Sequence, residues 1–304
     1  MRHPSLYVRP FEPHDVKTVA ALLDSRLPLD TVTSDWVREK TFDDPDYDGE
    51  MTLCALDGAE LVGFAQGIVR DVDGQTRGWV KWFATAAKHE RRGVMTALFD
   101  RIEGLMQRRG VKRVGVANSP PNYTWPGLDP RCTAAYVFLE GRAYRRTGMA
   151  FNMRCDLTTR DWSTGEDESL LASRGLSVRR ARREDLHPVL EHLREHFPHW
   201  AGEVATCFRR DPISLHVAAD GPKVVGFAAY DANNLGMAWF GPMGTDPAYR
   251  KMGIGKVLLW RCLADQREQG YRLAIIPWVG PLAFYYRHCG AVVDRIFWQM
   301  EREL

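Results

Sequence analysis

The sequence lacks the patterns that mark disulfide-stabilised, membrane-spanning and exported proteins. Its six cysteines are scattered, with no Cys-x-x-Cys pair and no disulfide-rich spacing, so we expect a protein of a reducing compartment. No apolar run approaches the roughly 18 residues that a membrane-spanning helix needs. The Met-Arg-His-Pro start is not followed by an apolar stretch, so we expect no signal peptide and a cytoplasmic location.

An excess of charge of either sign is also missing. The chain has 41 Lys and Arg against 39 Asp and Glu, a net charge of +2. This balance gives no reason to expect a nucleic-acid or membrane partner. We therefore interpret the basic run at 179–183 as the solvated end of a strand and the start of a helix. The length of 304 residues is enough for two domains of roughly 150 residues, each with its own core.

The chain does contain a long internal repeat. Three blocks recur in the same order: residues 8–28 with 178–198, residues 62–65 with 225–228, and residues 90–95 with 250–255. The second block is the identical tetrapeptide Val-Gly-Phe-Ala, and the separations are 170, 163 and 160 residues. Solenoid repeats have periods of about 20–50 residues, so this period indicates tandem domains.

Each copy is predicted to have the element order βααβββαβαβ. Strands are indicated by apolar runs bounded by turn signals, the first of them at 5–9, and helices by amphipathic segments such as 94–109. The predicted fold class is α/β (α+β), with a mixed, mostly antiparallel sheet flanked by helices in each copy. Residues 158–174 are polar and unpatterned, so we predict domains at 1–157 and 175–304 joined by this linker.

The later copy has a glycine-rich loop between a strand and a helix. The loop contains Arg250, Lys251, Gly253 and Gly255, and Lys256 follows it. Glycines allow consecutive backbone N–H groups to point at one place, and a helix N-terminus adds partial positive charge. The loop therefore predicts an anion site suited to a pyrophosphate.

At this point the chain resembles the GNAT superfamily of acyl-CoA N-acyltransferases. The family signature Arg/Gln-x-x-Gly-x-Gly/Ala is matched by Arg250, Gly253 and Gly255, and the family's tyrosine, four residues before a glycine, falls on Tyr286. The resemblance covers both copies and is specific for the later one. An asparagine that the family often has seven residues before the tyrosine is replaced by Val279, which puts one cofactor contact in doubt.

The resemblance implies the cofactor and the site residues. It implies acetyl-CoA (CoA) as co-substrate, with no metal, and Tyr286 as the acid that protonates the departing thiolate; the alternative for Tyr286 is a core residue. For the base that deprotonates the amine we choose Asp246, although a helix-capping aspartate fits the position equally well. The implied cofactor-binding residues are Met243, Thr245, Arg250, Lys251, Met252, Gly253, Ile254, Gly255 and Lys256.

The earlier copy has lost the residues that this chemistry needs. Glu90 stands at the arginine position, Met95 at the second glycine, Leu139 at the tyrosine and Ala143 at the glycine after it. We therefore expect no turnover there, while CoA binding stays open. The proline-rich loop at 119–131 is either a recognition surface, or a rigid cap over the splayed sheet or part of the domain contact.

The predicted function is transfer of an acetyl group to a primary amine by the C-terminal domain. The acceptor is an unidentified small molecule, with neither nucleic acid nor membrane as partner, in a monomer or homodimer. The alternative is a non-catalytic protein that binds or senses acyl-CoA. His192 and His196 also match a His-x-x-Glu-His zinc pattern, but a third ligand is not evident, and we expect them to line the acceptor cleft or to face solvent.

Overall fold

The computed structural model describes residues 6–27 and 29–304 of the chain. Ser5 of the first predicted strand and Pro28 of the repeat lie outside the described residues. By the density of its internal contacts the chain divides into two units: unit 1 comprises residues 1–150 and 297–304, and unit 2 comprises residues 151–296. None of the described helices combines the length and the hydropathy needed to cross a membrane.

Unit 1 begins with a strand and two helices and continues with a sheet. Its elements are β1 (Leu6–Pro10), α1 (Val16–Arg26), α2 (Ser34–Lys40), β2 (Thr52–Asp57), β3 (Glu60–Val72), β4 (Gln75–Thr85), α3 (Val94–Arg108), β5 (Arg113–Val116), α4 (Thr133–Gly141) and the first half of β6 (Arg145–Asp156). Strands β1 to β4 pair antiparallel in sequence order, and β5 then pairs with β4 in parallel. The core lies between this sheet and α3, which buries Leu98, Phe99 and Ile102.

Unit 2 repeats this plan. Its elements are α5 (Gly165–Ala172), β7 (Leu176–Arg180), α6 (Leu186–His196), α7 (Ala201–Cys207), β8 (Leu215–Asp220), β9 (Lys223–Tyr230), β10 (Phe240–Thr245), α8 (Ile254–Glu268), β11 (Leu273–Ile276), α9 (Leu282–Cys289) and the first part of β12 (Val292–Glu303). Strands β7 to β10 form an antiparallel sheet with β10 at its edge. One apolar cluster packs α8 against this sheet, and a second contains the buried residues of α6 and α7.

Two strands contribute residues to both units. The last residues of β6, from Met153 to Asp156, pair antiparallel with β11 in unit 2. The last residues of β12 pair antiparallel with β5 in unit 1, where Glu301 lies opposite Gly115. Each unit therefore contains a strand segment from the sequence copy that supplies most of the other unit.

The structure confirms the repeat and the predicted fold class. Both copies have the element order βααβββαβαβ, and α3 and α8 begin and end at positions 160 residues apart. A bidentate ion pair recurs as well: Arg9 bonds Asp15 at 2.6 and 2.8 Å, and Arg179 bonds Asp185 at the same two distances. In each copy the carboxylate also accepts the backbone N–H that precedes the first helix. This pair fixes the connection between strand and helix in both units.

The segment predicted as a linker, 158–174, contains helix α5 and belongs to unit 2. Leu171 and Trp162 are buried in the core cluster of α8. On the exposed side Asp167 accepts a hydrogen bond from Lys256 at 2.7 Å, and Glu168 pairs with Arg261 at 2.7 Å. Its polar composition reflects these charge pairs, which join α5 to α8 far along the chain.

Candidate functional site

The glycine loop after β10 has the backbone conformation of an anion-binding nest. Lys251 and Gly253 have positive φ angles of 65° and 96°, and α8 starts at the next residue, Ile254. Residues that alternate between right- and left-handed conformations direct successive N–H groups into one concave site. The N-terminus of the 15-residue helix α8 adds its partial positive charge at the same place. The backbone is thus suited to an anion such as a pyrophosphate.

The side chains of the loop divide between solvent and the protein. Arg250 and Lys251 are exposed, and the Nε of Arg250 donates to the carbonyl of Thr245 at 3.4 Å. Lys256 bonds Asp167 and lies over the ring of Trp260, 4.6 Å from its centroid, so its ammonium is held toward α5. Met252 packs partly against the core. A side chain placed at Gly255 would first meet Phe284 at 3.4 Å and Met243 at 3.6 Å.

Strand β10 offers a free backbone edge next to the loop. Its only link to β11 is a parallel bridge between Trp239 and Ile275, just before β10 begins, and the described β10 residues pair with β9 on the other side. A β-bulge interrupts the register between Phe240 and Met243. Bulges redirect backbone groups and often lie next to active sites. The edge that contains Met243 and Thr245 is therefore available to an extended ligand arm.

Tyr286 lies on α9 with its side chain in solvent. The residue is 66% exposed, whereas its neighbour Tyr285 is 7% exposed and belongs to the core. The exposure of Tyr286 rules out the core alternative that the sequence left open. Gly290, with a φ of 67°, ends the helix and donates its N–H to the carbonyl of Tyr286 at 3.0 Å.

Asp246 is a capping residue at the start of the loop. Its Oδ1 accepts the N–H of Ala248 at 2.9 Å, and its Oδ2 accepts from Lys223 at 3.1 Å. Burial to 4% exposure would by itself raise the pKa of this carboxyl, but the bonds from Ala248 and Lys223 outweigh burial and hold the pKa below its usual range. The same Oδ2 lies 3.5 Å from Nε2 of His196. Asp246 was considered as a base or as a helix cap, and its hydrogen bond from Ala248 is the contact that a cap makes.

The two histidines of the zinc pattern lie side by side on α6. Their ring centroids are 5.1 Å apart. His192 is 4% exposed, and neither of its ring nitrogens has a hydrogen-bond partner among the described residues. Burial, followed by the neighbouring His196, lowers the pKa of His192 to about 4. In the described part of the chain no three His, Cys, Asp or Glu side chains come together as a metal site.

The counterpart loop of unit 1 keeps the backbone of the nest but not its chemistry. Arg91 and Gly93 have φ angles of 57° and 83°, close to those of Lys251 and Gly253. Glu90, however, forms an ion pair with Arg26 at the end of α1. A carboxylate at this position opposes the binding of a phosphate.

The tyrosine position of unit 1 has also changed its surroundings. Leu139 is completely buried in the core of the unit. Ala143, where unit 2 has Gly290, keeps a positive φ of 65°, so the helix ends in the same conformation. The backbone has therefore been retained while the position lost the hydroxyl and its access to solvent.

The proline-rich loop of unit 1 bonds β4 at its bulge. Directly after β5, Ala117 donates its N–H to the carbonyl of Val80 at 2.9 Å, and within the loop the hydroxyl of Thr124 donates to the carbonyl of Lys81 at 3.2 Å. Lys81 is the additional residue of a β-bulge in β4, 160 positions before Gly241 in the bulge of β10. Thr124 is fully buried, and Trp125 is 8% exposed with its ring 5.5 Å from that of Trp36. Of the two interpretations of this loop, the rigid cap is the one that the structure contains.

Sequence reasoning missed the contacts that depend on distant positions. The pairs His196–Asp246 and Arg26–Glu90 join a helix end to a loop far along the chain. The cap formed by Thr124 was not readable either. One available signal was length, because residues 117–132 separate β5 from α4, whereas residues 277–281 separate β11 from α9.

Comparisons with known proteins agree with this architecture. A profile of the "Acetyltransferase (GNAT) family" matches residues 19–124 and 177–291, one segment in each copy and together more than half of the chain. No curated protein sequence matches significantly. Among solved structures, a GCN5-related glucosamine N-acetyltransferase region of a fungal multi-domain GH3 β-N-acetylglucosaminidase superposes with a TM-score of 0.83 at 16% identity. That match covers 99% of this chain but only 38% of the fungal one.

Two further structures match over nearly their whole length. A GCN5-related N-acetyltransferase from Sphaerobacter thermophilus has a TM-score of 0.72 at 17% identity, covering 100% of this chain and 97% of that one. A tandem GNAT protein from the clavulanic acid biosynthesis pathway has a TM-score of 0.68 at 16% identity, covering 98% of each chain. At these identities the likeness concerns the fold, and the family follows from the profile matches. The chain belongs to the GNAT family of acetyltransferases.

Proposed function

We propose that unit 2 transfers an acetyl group from acetyl-CoA to the primary amine of a small molecule. The observation that carries this proposal is the contrast between the two β-bulge strands. Strand β10 is at the edge of its sheet and is followed by an intact glycine loop, whereas β4 pairs with β5, is bonded at its bulge by Thr124 and is followed by a loop with Glu90. Unit 1 is proposed to have a structural role and to bind no CoA along β4.

The residues of unit 2 have separate tasks in this proposal. The N–H groups at Met252, Gly253, Ile254 and Gly255 hold the pyrophosphate, and Arg250 and Lys251 add positive charge from solvent. The backbone of Met243 and Thr245 bonds the pantetheine arm, and amides at the bulge stabilise the oxyanion that forms when an amine attacks the thioester. Lys256 contributes from a distance, because Asp167 holds its ammonium.

Tyr286 is proposed as the acid that protonates the departing thiolate. Its exposure leaves the hydroxyl free to meet a ligand, as a general acid requires. Asp246 caps the loop and keeps the nest in shape. Replacement of Tyr286 by Phe is expected to lower kcat by about 100-fold or more with unchanged acetyl-CoA affinity, the lower range for loss of a general acid. The buried neighbour Tyr285→Phe serves as the control.

The division of roles between the units can be tested with matched substitutions in the two loops. Gly255→Glu places a carboxylate at the phosphate site of unit 2, and Met95→Glu places one at the equivalent position of unit 1. We expect Gly255→Glu to abolish the thermal stabilisation by acetyl-CoA and the release of thiol with a panel of primary amines. Met95→Glu is expected to leave both measurements within about twofold of the unmodified protein, since repulsion acts only where the phosphate binds.

The opposite result has a clear meaning. Loss of acetyl-CoA binding in Met95→Glu alone would contradict the proposed assignment to unit 2. If acetyl-CoA stabilises the protein but no amine supports thiol release, the protein binds or senses acyl-CoA without turnover.

A further inference from the structure

The chemistry proposed for unit 2 needs a base, and Asp246 is poorly placed to be one. An amine acceptor enters as an ammonium ion and must lose a proton before it attacks the thioester. Asp246 is 4% exposed, and both of its oxygens are engaged, one by Ala248 and the other by Lys223. These bonds also hold its pKa below the usual range, which makes the carboxylate a weak proton acceptor.

His196, the last residue of α6, lies against Asp246. Its side chain is 17% exposed, its Nε2 is 3.5 Å from Oδ2 of Asp246, and its Nδ1 has no hydrogen-bond partner among the described residues. The next residue, Phe197, lies directly on β10: a side chain at Gly244 would meet its ring at 2.7 Å. The imidazole thus lies beside β10 and the start of the glycine loop. Its Nε2 is 3.5 Å from a carboxylate oxygen of Asp246 without a hydrogen bond to it, and Nδ1 is also unbonded among the described residues.

Charged side chains from α6, β9 and the loop lie around the imidazole. Asp246 faces it from the loop, and Glu195 of α6 lies 3.7 Å from Nε2. Lys223 of β9 also approaches Asp246, and the adjacent His192 stays neutral because burial lowers its pKa to about 4. Two carboxylates therefore approach Nε2 of His196, and the ammonium of Lys223 bonds one of them.

Unit 1 provides an internal comparison. The positions equivalent to His196 and Asp246 are Arg26 and Ala86. Arg26 also joins the helix end to the loop, but through Glu90. A guanidinium keeps its proton at all physiological pH values, so it can hold the loop but cannot act as a base. The histidine–carboxylate pair is found in the unit with the free strand edge, and the unit with the covered edge has a permanent ion pair.

We propose that His196 is the general base of unit 2, with Asp246 holding its ring; this inference rests on the proposed acetyltransferase function. Nδ1 takes one proton from the substrate ammonium, and the freed amine nitrogen forms a bond with the thioester carbonyl carbon. The carbon–sulfur bond then breaks, and the thiolate takes a proton from Tyr286. The attacking nitrogen still has one proton more than an amide, and this proton returns to the Tyr286 oxygen; His196 releases its proton to water, and no oxidant or further reactant is needed.

The test uses His196→Gln in the full-length protein. Glutamine keeps a polar side chain beside Asp246 but cannot take up the proton. With an alkyl primary amine at pH 8, we expect kcat/KM to fall about 100-fold or more, the lower range for general-base catalysis, with acetyl-CoA affinity by calorimetry unchanged. Methoxyamine, which is already unprotonated at this pH, should react at nearly the unmodified rate. His187→Gln, an exposed histidine of the same helix, is the matched control.

Each other outcome contradicts a specific part of the proposal. If His196→Gln retains full activity with the alkylamine, His196 is not the base. If the variant loses acetyl-CoA affinity, or loses activity equally with methoxyamine, the residue only holds the loop in place. If the unmodified protein binds acetyl-CoA but releases no thiol with any amine, the proposed function itself is wrong, and the base assignment falls with it.

Discussion

His192 is a buried base that the fold holds in its neutral form. The ring is 4% exposed among Phe197, Phe227 and His196, and neither nitrogen is bonded within the described residues. In the unfolded chain a histidine has a pKa near 6.5, while burial lowers the pKa of His192 to about 4. The unfolded state therefore binds a proton more readily than the folded state between these two values. The free energy of unfolding therefore has its full value, as far as His192 is concerned, above pH 6.5, and it decreases as the pH falls toward 4.

From the lowered pKa of His192 we predict that unit 2 loses stability at acidic pH and that replacing His192 reduces this loss. The repeat places Leu22 at the equivalent position of unit 1, so His192→Leu is a replacement already used in the same fold. Urea unfolding at pH 8 and pH 5 should show that the unmodified protein loses more stability than the variant. The difference should amount to about 1–3 kcal/mol, the range that a pKa shift of this size allows. An equal loss in both proteins would contradict the prediction, and His187→Leu should behave like the unmodified protein.

At the residue scale, the positions that the family resemblance pointed to lie in local backbone that the sequence could indicate. Gly253 has a positive φ directly before α8, and Gly290 ends α9 one turn after Tyr286, while the roles of both residues stay predictions. The pair His196–Asp246 could not be predicted, since its residues are 50 positions apart and nothing in either segment specifies the other. Only the structure could exclude a core position for Tyr286. The neighbouring Tyr285 is the same residue type but is buried, so the sequence does not show which of the two tyrosines faces solvent.

At the scale of elements, α5 shows why a polar segment can still be ordered. Its first turn contains three acidic residues, and its mean composition gives no apolar face. Order comes from Leu171, which is 1% exposed, and from pairs that Asp167 and Glu168 form with α8. Both partners lie about 90 residues later in the chain, so a sequence segment around α5 contains neither of them. The order of the main elements was predictable because apolar periodicity is local, and this packing was not.

The packing of α5 predicts different costs for two adjacent leucines. Leu171→Ala removes a side chain from the core cluster of α8 and should lower the free energy of unfolding by about 2–4 kcal/mol. Leu170→Ala changes a residue that is 52% exposed, and its effect should stay within about 0.5 kcal/mol. Urea unfolding measures both values. Similar small effects, together with rapid tryptic cleavage after Arg174 in the native protein, would indicate a flexible linker instead.

The loop that bonds β4 at its bulge also acts at the scale of elements, because it changes which backbone groups of that strand are accessible to a ligand. Both strands have a β-bulge at equivalent positions, so the backbone alone would offer the same edge twice. In unit 1 the loop places Thr124 on the bulge, and Asn122 donates to the carbonyl of Glu39 in α2 at 2.8 Å, which fixes the loop from its other side. The proposal that unit 1 binds no CoA along β4 is thus supported by this packing as well as by the missing glycine and tyrosine.

At the scale of the whole molecule, unit 1 is completed by the last residues of the chain. Met300 is 1% exposed in its core, and the ring of Trp298 lies 4.9 Å from that of Tyr136. Glu103 of α3 is buried and accepts hydrogen bonds from Arg142, Tyr144 and Arg302, the last at 2.8 Å. Without Arg302, the carboxylate of Glu103 would lose one of its cationic partners. Without Met300, α3 would lose part of its apolar contact. A cut of the chain into two contiguous halves therefore separates unit 1 from a strand of its own sheet.

Deletion of residues 297–304 is expected to unfold or loosen unit 1 selectively. The deletion removes the pairing partner of β5 and the buried Met300, a loss of several kcal/mol for a core residue of this size. Hydrogen exchange followed by mass spectrometry should show strongly faster exchange in α3 and β5, while α8 and β8 keep most of their protection, because local stability follows the contacts that each region retains. Glu303→Ala, an exposed position in the same strand, should leave the exchange of α3 and β5 unchanged. Faster exchange confined to α8 and β8 would mean that the C-terminal residues stabilise unit 2 instead, and unchanged exchange throughout would mean that unit 1 is complete without its last strand.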